Sequence, residues 1–126
     1  MPELESEVCP FCQPQQRIVC ENELAFAVFD AYPVNPGHLL VIPKRHVSNY
    51  FESSWEEKMA ILRLLEQCKE ILENRKPDGY NIGINCGEVA GQTVMHLHVH
   101  LIPRYFGDID DPRGGIRGVI PSKRIY

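Results

Sequence analysis

Three histidines alternate with aliphatic residues in His96-Leu97-His98-Val99-His100-Leu101. On a strand, side chains two apart share a face and each residue rises about 3.3 Å, so the pattern predicts three imidazoles in a row at about 7 Å spacing, with Leu97, Val99 and Leu101 turned into a core. A lone histidine in a strand is ordinarily a hydrogen-bonded structural residue. Three on one face would repel one another when protonated and would waste hydrogen bonds when buried neutral, so stability alone does not favour such a row. Metal binding, proton transfer or phosphoryl chemistry remains. One zinc ion cannot take all three, because ligand atoms must come within about 2.1 Å of it and a flat strand spreads them too far. At least one imidazole therefore has another task.

A second constellation is Cys9-Pro10-Phe11-Cys12. Two thiols at this spacing can bind one tetrahedral metal or form a redox pair. The redox use goes with a helix that starts after a strand. Here Pro10 lies inside the motif, Pro14 follows it and no strand–helix–strand pattern precedes it, which favours zinc. The other thiols, Cys20, Cys68 and Cys86, read as small core residues. An odd total of five suits a reducing compartment better than a disulfide framework.

The elements that must position these groups can be outlined from pattern. Residues 17–20 and 24–29 are short apolar runs suited to strands, and Asn22 between them suits a hairpin turn. Pro33, Pro36 and Gly37 then prevent regular structure until a third strand at 38–42, so Asp30 and His38 stand at strand ends on either side of one loop. Ser53 or Ser54, followed three residues on by Glu56 or Glu57, predicts a capping box. The helix it opens should run to about Asn74, with Ile61, Leu65, Cys68 and Leu72 as its apolar stripe and Glu56, Glu57, Glu66, Lys69, Glu70 and Glu73 on the polar side. Pro77, Asp78 and Gly79 form a turn into a strand at 80–85, and 106–118 should be irregular.

At 126 residues and 44% hydrophobic content the chain fits one domain, 1–126, with a modest core. The opening MPELESEV has neither the basic nor the apolar region of a secretory signal, and no apolar run approaches the roughly 20 residues of a membrane span, so a cytoplasmic protein without a membrane partner is expected. The net charge of −4 gives no overall bias toward polyanions. The tail 105–126 is nevertheless basic, which leaves open either a solvated or packing tail or a reach of Arg113 or Arg117 to a phosphate.

The stretch HLHVHLI resembles the signature of the histidine triad family: histidine, apolar, histidine, apolar, histidine, apolar, apolar. The similarity extends to FAVFDAYPVNPGHLLVIPKRH and to NCGEVAGQT, and so covers most of the chain from CPFC to IPR. It implies an α+β fold: an antiparallel sheet of about five strands with one long helix and a short one, joined across a homodimer. It also implies that His98 attacks an α-phosphate and carries a covalent nucleotidyl group, which water or another acceptor then removes. A hydrogen bond from the other ring nitrogen, expected to go to a backbone carbonyl, would hold the productive tautomer.

The resemblance further implies that His100 and His38 flank the phosphate, that Gln92 and Thr93 supply donors near the leaving group, and that Asp30 and Asn85 hold the ribose hydroxyls. A purine, most simply of an adenylyl substrate, would lie near the first strands, with Phe11, Phe26 and Phe29 as candidates. Relatives that carry the cysteine pair complete a structural Zn2+ site with histidines matching His46 and His96, so the metal set would be Cys9, Cys12, His46 and His96 within a segment 1–16 that reaches the triad. This gives a hydrolase of dinucleoside polyphosphates or nucleoside phosphoramidates as the first reading. A phosphorylase or nucleotidyltransferase and a nonenzymatic nucleotide-binding module are the alternatives. No nucleic-acid partner is expected.

Overall fold

The computed structural model describes residues 9–126; the acidic opening, and with it the first part of the expected 1–16 metal-binding segment, lies outside the described residues. Asn22 builds the first turn by accepting from the backbone N–H groups of Leu24 (3.2 Å) and Ala25 (2.9 Å), the local bonding by which asparagine replaces a backbone partner. Around it β1 (Ile18–Glu21) and β2 (Ala25–Phe29) form the expected antiparallel hairpin. The loop that follows closes through Gly37, whose φ of +94° favours glycine and where a Cβ would meet the Arg75 side chain at 2.9 Å. It delivers His38 to the start of β3 (Leu39–Pro43), a strand buried at every position and therefore central.

The helix α1 (Trp55–Leu72) starts at a complete capping box, Ser54 with Glu57, as the sequence predicts. After it come β4 (Gly79–Gly83) and β5 (Val99–Arg104). The sheet runs β1-β2-β3-β5-β4 with every pairing antiparallel. The expected sheet and long helix are both present, and the remaining helical pieces are short 3-10 segments such as Tyr50–Glu52 and Gly115–Val119. No described helix is long and apolar enough to cross a membrane.

Alternation along the strands divides the core. Ala25, Ala27, Leu39, Val41, Val99 and Leu101 face α1, where the expected stripe is widened by Ala60 and Leu64. Burying a leucine such as Leu64 stabilises the fold by about 2 kcal/mol. On the other face a smaller cluster forms from Cys9, Phe11, Phe26, Val28, Leu40 and Ile42. His100 lies opposite Leu40 in the β3–β5 register and so belongs to this second face.

Two expectations change. Glu57 is buried, not on the polar side of the helix, because Arg45 reaches over it and supplies the charge that its carboxylate needs. The triad strand begins only at Val99: β3 pairing ends at Val41–Val99, and the Leu97 N–H goes instead to the carbonyl of Val47. His96 and His98 therefore precede the strand, although Leu97, Val99 and Leu101 still enter the core.

Candidate active site and metal centre

The path of the chain before β5 separates the histidines. His96 is fully buried and turned toward the cysteine pair, while His98 and His100 stay together with ring centroids 5.2 Å apart. The regular row at about 7 Å expected of a strand is thus replaced by a bend that gives His96 a separate neighbourhood.

Hydrogen bonds to the backbone fix which ring nitrogen of each histidine carries a proton. The Nδ1 of His98 lies 2.8 Å from the carbonyl oxygen of His96. A carbonyl only accepts, so Nδ1 holds the proton and Nε2 presents a lone pair. This is the kind of acceptor that the sequence led us to expect. For His38 the direction reverses: the backbone N–H of Val34 donates to its Nδ1 (3.0 Å), so its proton sits on Nε2. That proton points at Nδ1 of His100, 2.9 Å away, and in turn puts the His100 proton on Nε2.

Burial holds His38 below the ordinary histidine range, with the nearby Asp30 carboxylate opposing the shift. Burial, together with the neighbouring His98 and His38 rings, pushes His100 down to about 4. Near neutral pH both rings are therefore uncharged hydrogen-bond donors.

Asp30 and His38 are joined across their loop, the Asp30 N–H donating to the His38 carbonyl (2.9 Å). The carboxylate caps the turn with Oδ1, accepting from the Tyr32 N–H (2.9 Å), and leaves Oδ2 3.5 Å from Nε2 of His38. Asn85 lines a cleft of about 790 Å³ together with His38 and His100. Thr93 is exposed in the loop before the triad.

Gln92 is engaged elsewhere. Its Oε1 accepts from the Gly87 N–H (2.8 Å), and its Nε2 donates to the carbonyls of Val94 (3.0 Å) and Ser48. Both amide hydrogens are committed to bracing the loop. Phe11 and Phe26 are buried in one cluster, and Phe29 lies under the Arg75 guanidinium. Phe11 also packs on the triad, its ring 4.9 Å from that of His98 and 6.0 Å from that of His96.

Cys9, Cys12, His46 and His96 converge, each offering one ligand atom and all of these within 4.8 Å of one another. Tetrahedral zinc with bonds of about 2.3 Å to sulfur and 2.0 Å to nitrogen requires sulfur–nitrogen separations of about 3.5 Å. Nδ1 of His96 is 3.4 Å from Cys9 Sγ and 3.5 Å from Cys12 Sγ, and Nδ1 of His46 is 3.0 Å from Cys12 Sγ. The tautomer fits as well: Nε2 of His96 donates to the Pro43 carbonyl (2.8 Å), which bares Nδ1 for a metal. Burial and the neighbouring Cys9 push the Cys12 thiol up to about 11, so binding must release its proton.

A second convergence, Asp30 with His38 and His100, also brings its ligand atoms within 4.8 Å. It does not fit a metal, because the Val34 N–H on Nδ1 of His38 keeps the ring proton on the nitrogen that would have to coordinate. That cluster is a hydrogen-bond relay.

Sequence reasoning missed the Arg45–Glu57 pair. Nη2 of Arg45 donates to Oε1 of Glu57 (2.7 Å) and Nε to Oε2 (3.1 Å), so the helix cap grips the segment that carries His46. A signal existed: Arg45 directly precedes a histidine matched to a ligand position. Also missed was the tail, whose Ile116, Val119 and Ile120 wall the cleft beside His100. Arg113 and Arg117, weighed as phosphate ligands, have other partners. Arg113 is paired with Asp111 (2.9 Å), and Arg117 stacks on Tyr126 (4.4 Å) while its Nε donates to the Lys123 carbonyl.

The profile of the HIT domain matches residues 13–107. An uncharacterized HIT-like protein of Methanocaldococcus jannaschii is 40% identical over 106 residues, covering 80% of this chain and 82% of that protein. An AP-4-A phosphorylase of Mycobacterium tuberculosis is 34% identical over 105 residues, covering 82% of this chain; the chain spans about half, 54%, of that protein's length. Among solved structures, a zinc-bound histidine triad family protein from Mycobacterium smegmatis superimposes with a TM-score of 0.74 at 32% identity, covering 82% of this chain and 79% of that one.

Proposed function

Because the chain belongs to the HIT domain family, we propose that it is a nucleotide hydrolase or transferase that cleaves adenylyl compounds at the α-phosphate through a covalent nucleotidyl-His98 intermediate. The observation that carries this reading is the bond from Nδ1 of His98 to the His96 carbonyl. It leaves Nε2 as the ring nitrogen that can attack, and it stabilises the positive charge that the ring acquires when Nε2 bonds to phosphorus.

In the first step the Nε2–phosphorus bond forms as the bond to the leaving group breaks. Nε2–H of His100, kept in that tautomer by His38, donates to a phosphoryl oxygen that gains charge. In the second step water attacks phosphorus, Nε2 departs with its electron pair and AMP is released. We assign Asp30 and Asn85 to the ribose hydroxyls and Thr93 to the leaving-group side. In this scheme Gln92 braces the loop.

Cys9, Cys12, His46 and His96 would hold zinc. With four protein ligands its chemistry would be structural, since no coordination position stays open for water. We further propose a homodimer, a cytoplasmic location suited to thiols that are all free, and one domain over 1–126. A phosphorylase is the second reading, favoured by the mycobacterial relative named for that activity. In it inorganic phosphate, not water, takes the nucleotidyl group.

Incubation with adenosine 5′-phosphoramidate and with diadenosine tetraphosphate tests the proposal. AMP should form with one or both substrates, and His98→Ala should abolish it. Release of ADP that depends on inorganic phosphate would favour the phosphorylase. Nucleotide binding without turnover of either substrate would leave the binding module.

A further inference from the structure

The relay between His38 and His100 depends on an N–H that comes from an exposed loop. β3 and β5 pair at Leu39–Leu101 and Leu40–His100, so the sheet fixes the backbones next to the two rings. It does not fix the Val34 N–H, whose bond to Nδ1 keeps the His38 proton on Nε2. The Asp30 carboxylate favours the same tautomer, but at 3.5 Å from Nε2 it stands at the limit of hydrogen-bond distance. Tyr32 is 88% exposed and Val34 66%, so packing of side chains does not hold this loop. Hydrogen bonds must.

We propose that Asn35 is the positioning residue of the relay: its side-chain amide pins the Val34–His38 turn to the strand that carries His100, and so keeps Nε2–H of His100 available as a donor. The inference rests on the reading above, in which that N–H meets a phosphoryl oxygen.

Asn35 is bonded at both ends. Its carbonyl accepts from the His38 N–H (3.1 Å) and closes the turn. Its Nδ2 donates to the Pro103 carbonyl (3.0 Å), on the same strand as His100, and to Oδ2 of Asp108 (2.8 Å) just after that strand. Asp108 is itself firmly held. Its Oδ2 also accepts from Nε of Arg104 (2.8 Å) and from the Tyr105 N–H (3.0 Å), and its Oδ1 from Nη2 of Arg104 (2.8 Å). These donors keep its carboxyl well below the usual carboxylate range, so near neutral pH it is a charged acceptor, to which a hydrogen bond is about twice as strong as to a neutral one. Tyr105 adds a second tie by donating from its hydroxyl to the Pro36 carbonyl (3.0 Å).

Loss of the Asn35 amide would free the Val34 N–H to leave Nδ1 of His38. The His38 proton can then move to Nδ1, which makes Nε2 an acceptor. His100 must turn its own proton to Nδ1 to meet it, and its Nε2 then presents a lone pair to the phosphate where a donor is needed. No proton is gained or lost; the two rings change tautomer together.

The test combines ring-nitrogen NMR of the isotope-labelled full chain, in which protonated and bare imidazole nitrogens have separate shifts, with kcat and KM on adenosine 5′-phosphoramidate and diadenosine tetraphosphate. In the wild type near neutral pH, His38 and His100 should each show a protonated Nε2 and a bare Nδ1. Asn35→Ala should move both rings toward mixed-tautomer shifts and lower kcat by about tenfold, the scale of a small misplacement of a reacting group, with KM nearly unchanged. Asn35→Asp has the same size but no donor; it should act in the same direction and serves if Asn35→Ala does not fold. Ser54→Ala weakens the helix cap away from the site and should change neither the shifts nor kcat, which separates lost stability from lost positioning.

Wild-type ring shifts in a folded Asn35 variant would overturn the inference whatever happens to kcat, while an adenylylated His98 left the enzyme reading intact. A wild-type kcat beside altered shifts would also overturn it, since the tautomers would then not matter to the reaction. If the wild type forms no adenylyl-His98 with either substrate, the enzyme reading falls, and the part played by His100 in the inference falls with it.

Discussion

His96 serves both centres at once. Its Nδ1 faces the thiols, its Nε2 donates to Pro43, and its carbonyl accepts the proton that sets the tautomer of His98. Phe11, between the two cysteines, packs on the His98 ring, so the metal segment also braces the proposed nucleophile. Replacing Phe11 by Leu keeps an apolar side chain but loses the ring contact; we expect adenylylation to slow by about tenfold, the scale of a small misplacement of a reacting group, with zinc content unchanged by metal analysis. The buried imidazoles set a pH response. The folded pKa of His100 is about 4, below the ordinary 6.5, so between these values the unfolded chain binds protons first. Its contribution to stability is present above pH 6.5 and is lost as the pH falls toward 4, and His38 shifts in the same direction. Urea midpoints should fall over this window, and the fall should be smaller for His100→Gln than for the wild type. Spacing made it legible that the three histidines do not form an ordinary structural row. The carbonyl bond of His98 was expected; the tautomers of His96 and His38 were not legible, because they depend on carbonyls and N–H groups set by the path of the chain, such as Pro43, 53 residues before His96.

The helix α1 was largely legible because its determinants are local: a capping box and an apolar stripe at helical spacing. Glu57 was misread because the same residue also works at long range. It caps the helix through Ser54 (2.8 Å) and binds Arg45, which adjoins His46. The metal-ligand segment is thereby held at three points, by Pro43 to His96, Arg45 to Glu57 and Val47 to Leu97. Two variants separate the cap from the clamp. Ser54→Ala should cost about 1 kcal/mol of stability and leave zinc affinity unchanged in a competition titration with a chelator. Glu57→Ala should also weaken zinc binding by about tenfold, the lower end of what loss of an outer hydrogen bond to a metal site costs. Equal zinc affinity in the two variants would show that Arg45–Glu57 does not position His46.

Across the whole molecule, one sheet face packs on a helix and the other carries His100 and the proposed site, with the cysteine segment at one side of the triad and the tail at the other. The five strands could be read from apolar runs, alternation and turn residues such as Asn22, Gly37 and Gly79, although the start of the triad strand could not. The folding of the tail could not, because its arginines bond mainly to carbonyls and aspartates within the tail, and composition alone left both a solvated or packing tail and a reach to phosphate open. Metal should act on this architecture by mass action: zinc at about 100 times its dissociation constant stabilises the folded state by about 2.7 kcal/mol. The thermal midpoint should therefore rise with free zinc and fall with a chelator in the wild type, and should respond to neither in a Cys9→Ser, Cys12→Ser double variant. The central claim is that Nε2 of His98 takes the nucleotidyl group. The direct measurement is to react the protein with adenosine 5′-phosphoramidate, quench within the first turnover and map any adenylyl mass to a residue by peptide sequencing in a mass spectrometer. The account predicts one AMP on His98, present in the wild type and absent from His98→Ala. AMP released with no covalent adduct, or an adduct on His38, His96 or His100 that persists in His98→Ala, would contradict it.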